Sequence, residues 1–363
     1  MNPTKLILVG GFLGSGKTTL LHTSAGILKK RGFPVGLITN DQASGLVDTA
    51  YLEEQGNLVR EVSGSCFCCN FHGFAEAVEQ IAGQIGGGVT IAESVGSCTD
   101  LSATIMQPLK ERYRDLAVAA PLSVVADPER LKALLDGKKA IRAYIVRKQF
   151  EEADLILINK IDLLSEEELE ILVSRTHERF PNARIISLSA ATGEGVDAWL
   201  DLVLREENGG TFLADVDYDL YAAGEAAYGW LNASFFYDHI PENTEPAADA
   251  EAFLKFLVDR FAEEQIEIGH VKFLLHAERK RWIGNLTGGT EGISLRGETA
   301  ESAGFSLTVN ARAETGPKLL QDLVLRAVDR VFRAYPCIGT EIRSLIPGRP
   351  SPTYHYDSIV QTI

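Results

Sequence analysis

The amino-acid sequence predicts an α/β protein: a doubly wound, mostly parallel sheet over residues 1–208, followed by a smaller α+β domain over 213–363. Three observations carry this expectation. Short apolar runs recur at 5–9, 35–39, 89–92, 122–126, 155–158 and 184–188 and alternate with helical patterns, notably 17–30, 73–85, 165–179 and 195–205, as βαβ units do. Between the first run and the first helix stands Gly11-Phe-Leu-Gly14-Ser15-Gly16-Lys17-Thr18, which fits the spacing G-x-x-x-x-G-K-[ST]. After the polar stretch Glu206-Glu-Asn-Gly-Gly210, which reads as a linker, the pattern changes to strand, helix, three strands and helix.

Composition bounds the rest. A chain of 363 residues suggests two domains, and 45% hydrophobic with 23% charged residues is ordinary for a globular protein. No apolar run is long enough to span a bilayer and no basic-then-apolar leader opens the sequence, so the expectation is a cytoplasmic protein. A net charge of −15 argues against nucleic acid or an anionic membrane as partner, because both require clustered Lys and Arg. Five cysteines in so long a chain are not a disulfide scaffold.

The elements follow in order. Lys5–Val9 is a buried-type strand, and the glycines after it let backbone N–H groups turn inward around phosphate oxygens at the start of a helix. Gly11, Gly14, Ser15 and Gly16 form that cradle. Lys17 is expected to reach the β- and γ-phosphates, and Thr18, followed by Thr19, to place a hydroxyl on Mg²⁺. Asn159-Lys160-Ile161-Asp162 closes the strand 155–158. A carboxylate at Asp162 accepts from guanine N1–H and N2–H₂, a donor pair adenine lacks; Asn159 braces the loop and the Lys160 stem covers the ring face. Ser189-Ala190, after the next strand, fits the loop that backs the base. Glu93-Ser94-Val95-Gly96 ends the strand 89–92, where Glu93 suits Mg²⁺ or its water and the Gly96 N–H suits a γ-phosphate. Asn40-Asp41 ends the strand 35–39, with Asp41 a second acidic group near the metal or the attacking water.

Cys66-Phe67-Cys68-Cys69 needs a separate explanation. Three thiols this close can converge on one soft or borderline ion, or serve as redox-active thiols. A closed zinc site needs a fourth ligand, and none has ribbon or finger spacing. His72 is the nearest imidazole, and Cys98 either approaches the same face or packs as a small apolar group. In the second half, 228–237, 270–276, 281–286 and 305–312 read as strands and 247–264 and 317–333 as helices, Thr315 being the expected cap of the latter. A ferredoxin-like arrangement is one option there. Trp230, His270, His276 and Trp282 are read either as packing or as a partner surface.

Taken together, Gly11–Thr18, Asn40-Asp41, Cys66-x-Cys68-Cys69, Glu93-Ser-Val-Gly96 and Asn159-Lys-Ile-Asp162, in that order, resemble the CobW-like GTPases of the CobW/HypB/UreG type, relatives of the GTPases that help insert nickel into urease and hydrogenase. The resemblance covers about the first two hundred residues. It implies a P-loop GTPase domain and a GTP-dependent metallochaperone with GTP/GDP and Mg²⁺ at the loop. Cys66, Cys68 and Cys69 would then hold a transition metal, Zn²⁺ foremost and Co²⁺ or Ni²⁺ as options. The implied partner is an apo-metalloenzyme client, and a homodimer is left open. Intrinsic hydrolysis is expected to be slow, since no water-orienting residue or arginine finger stands out. The alternative is a nucleotide-switch module that docks a metalloenzyme or corrinoid-enzyme client, with the cysteines sensing redox state. Ser44-Gly45 stands where many members carry a Gly-Glu pair, which leaves the fourth ligand open, and the absence of a His-rich tract argues against bulk metal storage.

Overall fold

The computed structural model describes residues 3–40, 47–54, 56–137, 141–241, 244–277, 280–287, 293–297 and 304–361. It divides into two compact units, Met1–Tyr221 together with Arg349–Ile363, and Ala222–Gly348. Among the described residues no helix is long and apolar enough to cross a membrane.

The first unit runs β1 (Thr4–Gly10), α1 (Lys17–Lys30), β2 (Val35–Asn40), α2 (Val47–Glu54), β3 (Leu58–Val62), α3 (Phe71–Ile85) and β4 (Val89–Glu93). A π-helical turn, Ser102–Met106, leads into α4 (Gln107–Arg112), β5 (Ala117–Ala119), β6 (Ser123–Ala126), α5 (Pro128–Leu135) and α6 (Ile141–Glu151). It closes with β7 (Leu155–Ile158), α7 (Glu166–Arg179), β8 (Arg184–Ser187) and α8 (Val196–Arg205). The eight strands form one sheet in the order β3-β2-β4-β1-β6-β7-β8, with short β5 also on β1, and every pairing is parallel. Helices on both faces bury such strands, so β1 and β7 read as unbroken apolar runs. The chain visits β2 and β3 on one side of β1 before crossing to β6, β7 and β8 on the other. The loop after β1 is therefore the topological switch point, the place where ligands of these sheets collect.

Local chemistry sets the helix ends. The Asn70 side chain caps α3 by accepting from Gly73 N, and Ser165 with Glu168 forms a reciprocal capping box on α7. Trp199 of α8 is fully buried, and its indole N–H donates to Ser123 Oγ at 3.0 Å.

Two sequence expectations change. The stretch 206–210 is not a free linker. Arg184 pairs with Glu206, and Asp154 gathers the backbone N–H groups of Leu122, Gly210 and Thr211, so the segment is strapped to the sheet. The unit boundary comes later, within α9 (Tyr218–Ala226). The end of the chain, expected in the second domain, groups with the first unit instead. Thr353 N–H donates to Cys68 O at 2.8 Å and Tyr356 N–H to Ala103 O at 3.2 Å.

The second unit continues with β9 (Gly229–Tyr237), α10 (Pro246–Glu263), β10 (Ile268–Ala277), β11 (Lys280–Thr287), β12 (Ile293–Gly297), β13 (Phe305–Ala313), α11 (Pro317–Val331) and β14 (Cys337–Leu345). Its six strands run antiparallel in the order β12-β11-β10-β13-β9-β14. Alternate residues of β10 are buried, and that face packs Val271, Phe273 and Leu275 with Phe253 and Leu257 of α10 and Val324 of α11. β12 and β14 escaped the sequence reading. β14 is an edge strand with mostly exposed side chains, which leaves no apolar alternation to detect. Thr315 does not cap α11; Gly316 holds that position and no side chain bonds the helix end. Trp230 is buried beneath the Arg312 guanidinium and Trp282 packs against the core, so these tryptophans are packing residues.

Candidate functional site

Gly11, Gly14 and Gly16 take φ of 132°, 76° and 97°, left-handed backbone that curls the loop inward before α1. Lys17 Nζ folds back onto the loop and donates to Gly11 O at 2.7 Å and Phe12 O at 3.3 Å. Ser15 Oγ and, at the end of β4, Ser94 Oγ are buried without a partner among the described residues. Two orphaned hydroxyls beside an amide-lined loop suit an oxyanion ligand. Thr18 and Thr19 lie half-buried in the first turn of α1. The Thr18 hydroxyl donates to Glu93 at 3.1 Å, so the two groups expected to share Mg²⁺ already meet.

On the β7–β8 side, Asn159 is buried and bridges three segments. Its Nδ2 donates to Ser15 O at 2.7 Å, and its Oδ1 accepts from Ala190 N at 2.8 Å. A Cβ on Gly16 would lie 2.3 Å from Asn159 Nδ2, so glycine is required there by close approach as well as by φ. Ser189 is buried and accepts from Thr192 N. Lys160 adopts left-handed backbone and its ammonium pairs with Asp127 at 3.0 Å. Asp162, in a short 3₁₀ turn, is exposed.

On the β4–β2–β3 side, Asp41 and Ser44-Gly45 lie outside the described residues. Asn40 does not. Its Nδ2 donates to Val62 O at 2.8 Å and Ser65 O at 2.9 Å, and its Oδ1 accepts from Phe67 N at 3.0 Å. One side chain thus sets the loop carrying the cysteines. The sulfurs of Cys66, Cys68 and Cys69 lie within 4.8 Å of one another, with Cys66 and Cys68 3.0 Å apart and Cys68 and Cys69 3.8 Å apart. Hydrogen bonds from Cys68, then Cys69 and Cys98, hold the Cys66 thiol well below its ordinary pKa. The same coupling pushes Cys69 up to about 11. Cys66 is thus the most acidic thiol of the three. His72 is exposed and stands edge-on to Tyr354, apart from the sulfurs.

Sequence reasoning missed what surrounds this cluster. Ser351 N–H donates to Cys69 Sγ at 3.4 Å, and Thr353 Oγ1 donates to Cys69 O at 3.1 Å. Tyr354 packs edge-on against Phe71. Behind Cys98, Glu152 is fully buried, accepting from Ser102 N at 2.7 Å and from the Thr99 hydroxyl. Desolvation, followed by the charge of Asp100, pushes its carboxyl up to about 8. Asp100, raised by burial, is held by the Tyr218 hydroxyl at 2.7 Å and His355 Nε2 at 3.1 Å. None of these contacts has a local spacing by which the sequence would reveal it.

A parallel sheet with a glycine-rich loop at its switch point, opening a helix, is the frame of a P-loop nucleotide-binding domain. Residues 5–187 match the CobW/HypB/UreG nucleotide-binding domain, and the chain belongs to the CobW/HypB/UreG family. It is 28% identical over 196 residues to the hydrogenase maturation factor HypB of Azotobacter chroococcum mcd 1, an alignment covering 53% of this chain and 57% of that one. It is 26% identical over 192 residues to the zinc chaperone YjiA of Escherichia coli (strain K12), covering 50% and 57%. The chain thus spans little more than half the length of these relatives. Among solved structures, the Zn(II)-bound YjiA GTPase from E. coli aligns over 91% of this chain and 99% of that one at 17% identity, with a TM-score of 0.38. HypB from Helicobacter pylori in complex with nickel aligns over 59% and 91% at 17% identity, with a TM-score of 0.42.

Proposed function

We propose that this chain is a GTP-binding, GTP-hydrolysing metallochaperone whose nucleotide state sets the affinity of Cys66, Cys68 and Cys69 for a transition metal, to be delivered to an apo-metalloenzyme. The observation that carries this reading is the convergence of three sulfurs on a loop braced by Asn40, in the same sheet whose central strand feeds the phosphate loop. Loop amides and Lys17 bind the β- and γ-phosphates. Thr18 and Glu93 hold Mg²⁺, which neutralises charge developing on the transferred phosphoryl group, with Asp41 near the attacking water. Asp162 reads guanine, Asn159 and the Ser189-Ala190 loop position it, and Lys160 flanks its face. The Gly96 N–H senses the γ-phosphate. Thiolates suit Zn²⁺ first, with Co²⁺ and Ni²⁺ next. The reducing cytoplasm keeps such thiols available.

A tenfold difference in metal affinity between nucleotide states is a coupling of about 1.4 kcal/mol, acting equally in both directions. Titration of Zn²⁺ or Co²⁺ into the GDP-bound and GTP-analogue-bound protein measures it directly. Equal affinities in the two states remove the coupling.

The 3.0 Å approach of Cys66 to Cys68, with Cys66 the more acidic thiol, favours a second reading in which the cysteines sense oxidants while a nucleotide switch docks the client. Replacing all three cysteines with Ser separates the two readings. Loss of stoichiometric metal with GTP binding intact supports the chaperone, whereas unchanged metal content with altered oxidant sensitivity supports the sensor.

A further inference from the structure

Three sulfurs leave one vertex of a tetrahedral site unfilled. Among the described residues no imidazole or carboxylate groups with Cys66, Cys68 and Cys69. A fourth thiol lies beside the trio without standing within 4.8 Å of all three sulfurs: Cys98, 1% exposed, hydrogen-bonds Cys66 and Cys68 through its side chain. With Zn–S bonds of about 2.3 Å, the edge of a four-sulfur tetrahedron is about 3.8 Å. Cys68 and Cys69 already stand at 3.8 Å. Cys66 and Cys68, at 3.0 Å, form a hydrogen-bonded thiol pair that need only part by roughly 0.8 Å once a cation replaces their protons.

The position of Cys98 is imposed from two sides. Its N–H closes a turn onto Val95 O at 2.9 Å, while Gln149 Nε2 donates to Cys98 O at 2.7 Å and Gly96 O at 3.1 Å. That turn is continuous with Glu93 and Gly96. Gly96 is pressed against the phosphate loop so tightly that a Cβ there would lie 2.9 Å from Leu13 N. Cys98 is thus joined, two residues on, to the backbone that would feel the third phosphate.

We propose that Cys98 is the fourth ligand of this site and the ligand through which nucleotide state acts: a closed four-thiolate site when Cys98 engages, and an open three-thiolate site when the 93–98 turn withdraws it. This rests on the reading that the cysteines bind metal. Each thiol that joins the ion surrenders its proton to solvent, so closing the site releases one proton more than leaving it open. The Ser351 N–H at Cys69 Sγ offsets part of the negative charge that four thiolates around a divalent ion leave behind.

X-ray absorption at the zinc edge of the zinc-loaded, full-length protein, with GDP and with a non-hydrolysable GTP analogue, counts the sulfurs directly and needs no variant. Four sulfurs in one state and three in the other is the expected result. Three sulfurs and a lighter atom in both states overturn the proposal while leaving metal binding intact. Four sulfurs in both states overturn Cys98 as the switching ligand, and no stoichiometric zinc overturns the proposal together with the functional reading beneath it. Independently, Cys98→Ser and Cys98→Ala are expected to weaken zinc binding roughly a hundredfold and to erase the affinity difference between nucleotide states, with GTP binding retained as the check on folding. Cobalt spectra of both variants indistinguishable from those of the unaltered protein overturn it.

Discussion

On the β6–β7–β8 side of the phosphate loop, a single buried amide, Asn159, ties Ser15 to Ala190, and Lys160 is locked to Asp127. On the β4–β2–β3 side, Asn40 plays a matching part for the loop Ser65–Phe67, which carries Cys66 into the trio, while Cys98 meets Cys66 and Cys68 from a second segment, the turn after β4. The first side is held together by an amide bridge and an ion pair, as the proposed base pocket would require. The second is a set of thiols hydrogen-bonded to one another in a largely buried space. Two asparagines at strand ends thus brace different chemistry on the two sides of the phosphate loop.

The sharpest way to break this comparison is at the loop between the halves. Lys17→Ala removes a charge-assisted contact to phosphate and is expected to weaken GTP and GDP binding roughly a hundredfold, leaving zinc affinity of the nucleotide-free protein unchanged; calorimetric titrations of both ligands check it. The paired asparagines come next. Asn159→Ala and Asn40→Ala each strand buried backbone groups and should each cost about 2 kcal/mol of unfolding free energy in urea. Their ligand effects should cross over, Asn159→Ala losing nucleotide affinity and Asn40→Ala losing zinc affinity. If either variant loses both equally, the two halves are not separable.

A smaller effect lies in pH. Glu152, raised to about 8 from an ordinary value of 4.5, is protonated in the native state over a range where the unfolded chain is not. The stability it contributes is in place below the unfolded pKa and is lost as pH rises toward the folded one. Unfolding free energy should fall with a slope approaching 1.4 kcal/mol per pH unit, roughly between pH 5 and pH 8. The charged group facing it is Asp100, itself held by Tyr218 and His355, while Ser102 N–H and the Thr99 hydroxyl donate to the Glu152 carboxyl; Glu152→Gln should flatten the slope by that amount. Smallest is Thr353→Val, which removes hydroxyl bonds to Phe71 N and Cys69 O. It should cost about 1 kcal/mol and, by loosening the cover over Cys69, speed zinc release to a chelator about fivefold, measured by stopped flow.

Much of the architecture was legible in order and spacing. β1, the phosphate loop and α1 are contiguous, so composition and periodicity carry them, and the same holds for the turn after β7 and for the three close cysteines. Other parts left little trace. The 206–210 stretch has the composition of a linker because glycine serves a tight backbone approach as readily as a flexible one; contacts from Asp154, Arg184 and Gln107, far away in the chain, reveal which applies. β14 carries no apolar alternation because neither face of this edge strand is buried. Asn40 was noticed for the acidic residue after it, and its own three hydrogen bonds to the cysteine loop have no signature in spacing.

What the amino-acid order determined alone is the chemistry available: a glycine-rich loop that opens a helix, a carboxylate at Asp162 that we propose reads guanine, oxygen ligands at Thr18 and Glu93 suited to a hard cation, and thiols suited to a soft one. These are local properties, since a loop of glycines or a run of cysteines is itself at any distance from the rest of the chain. Only the tertiary structure decided which of them meet. The parallel order places the loop between a base side and a sulfur side, the chain's last stretch comes back over Cys69, and Cys98 is carried to the cluster by a turn anchored on Gln149. Contacts between residues far apart in sequence depend on strand order and burial, which no short window of sequence contains.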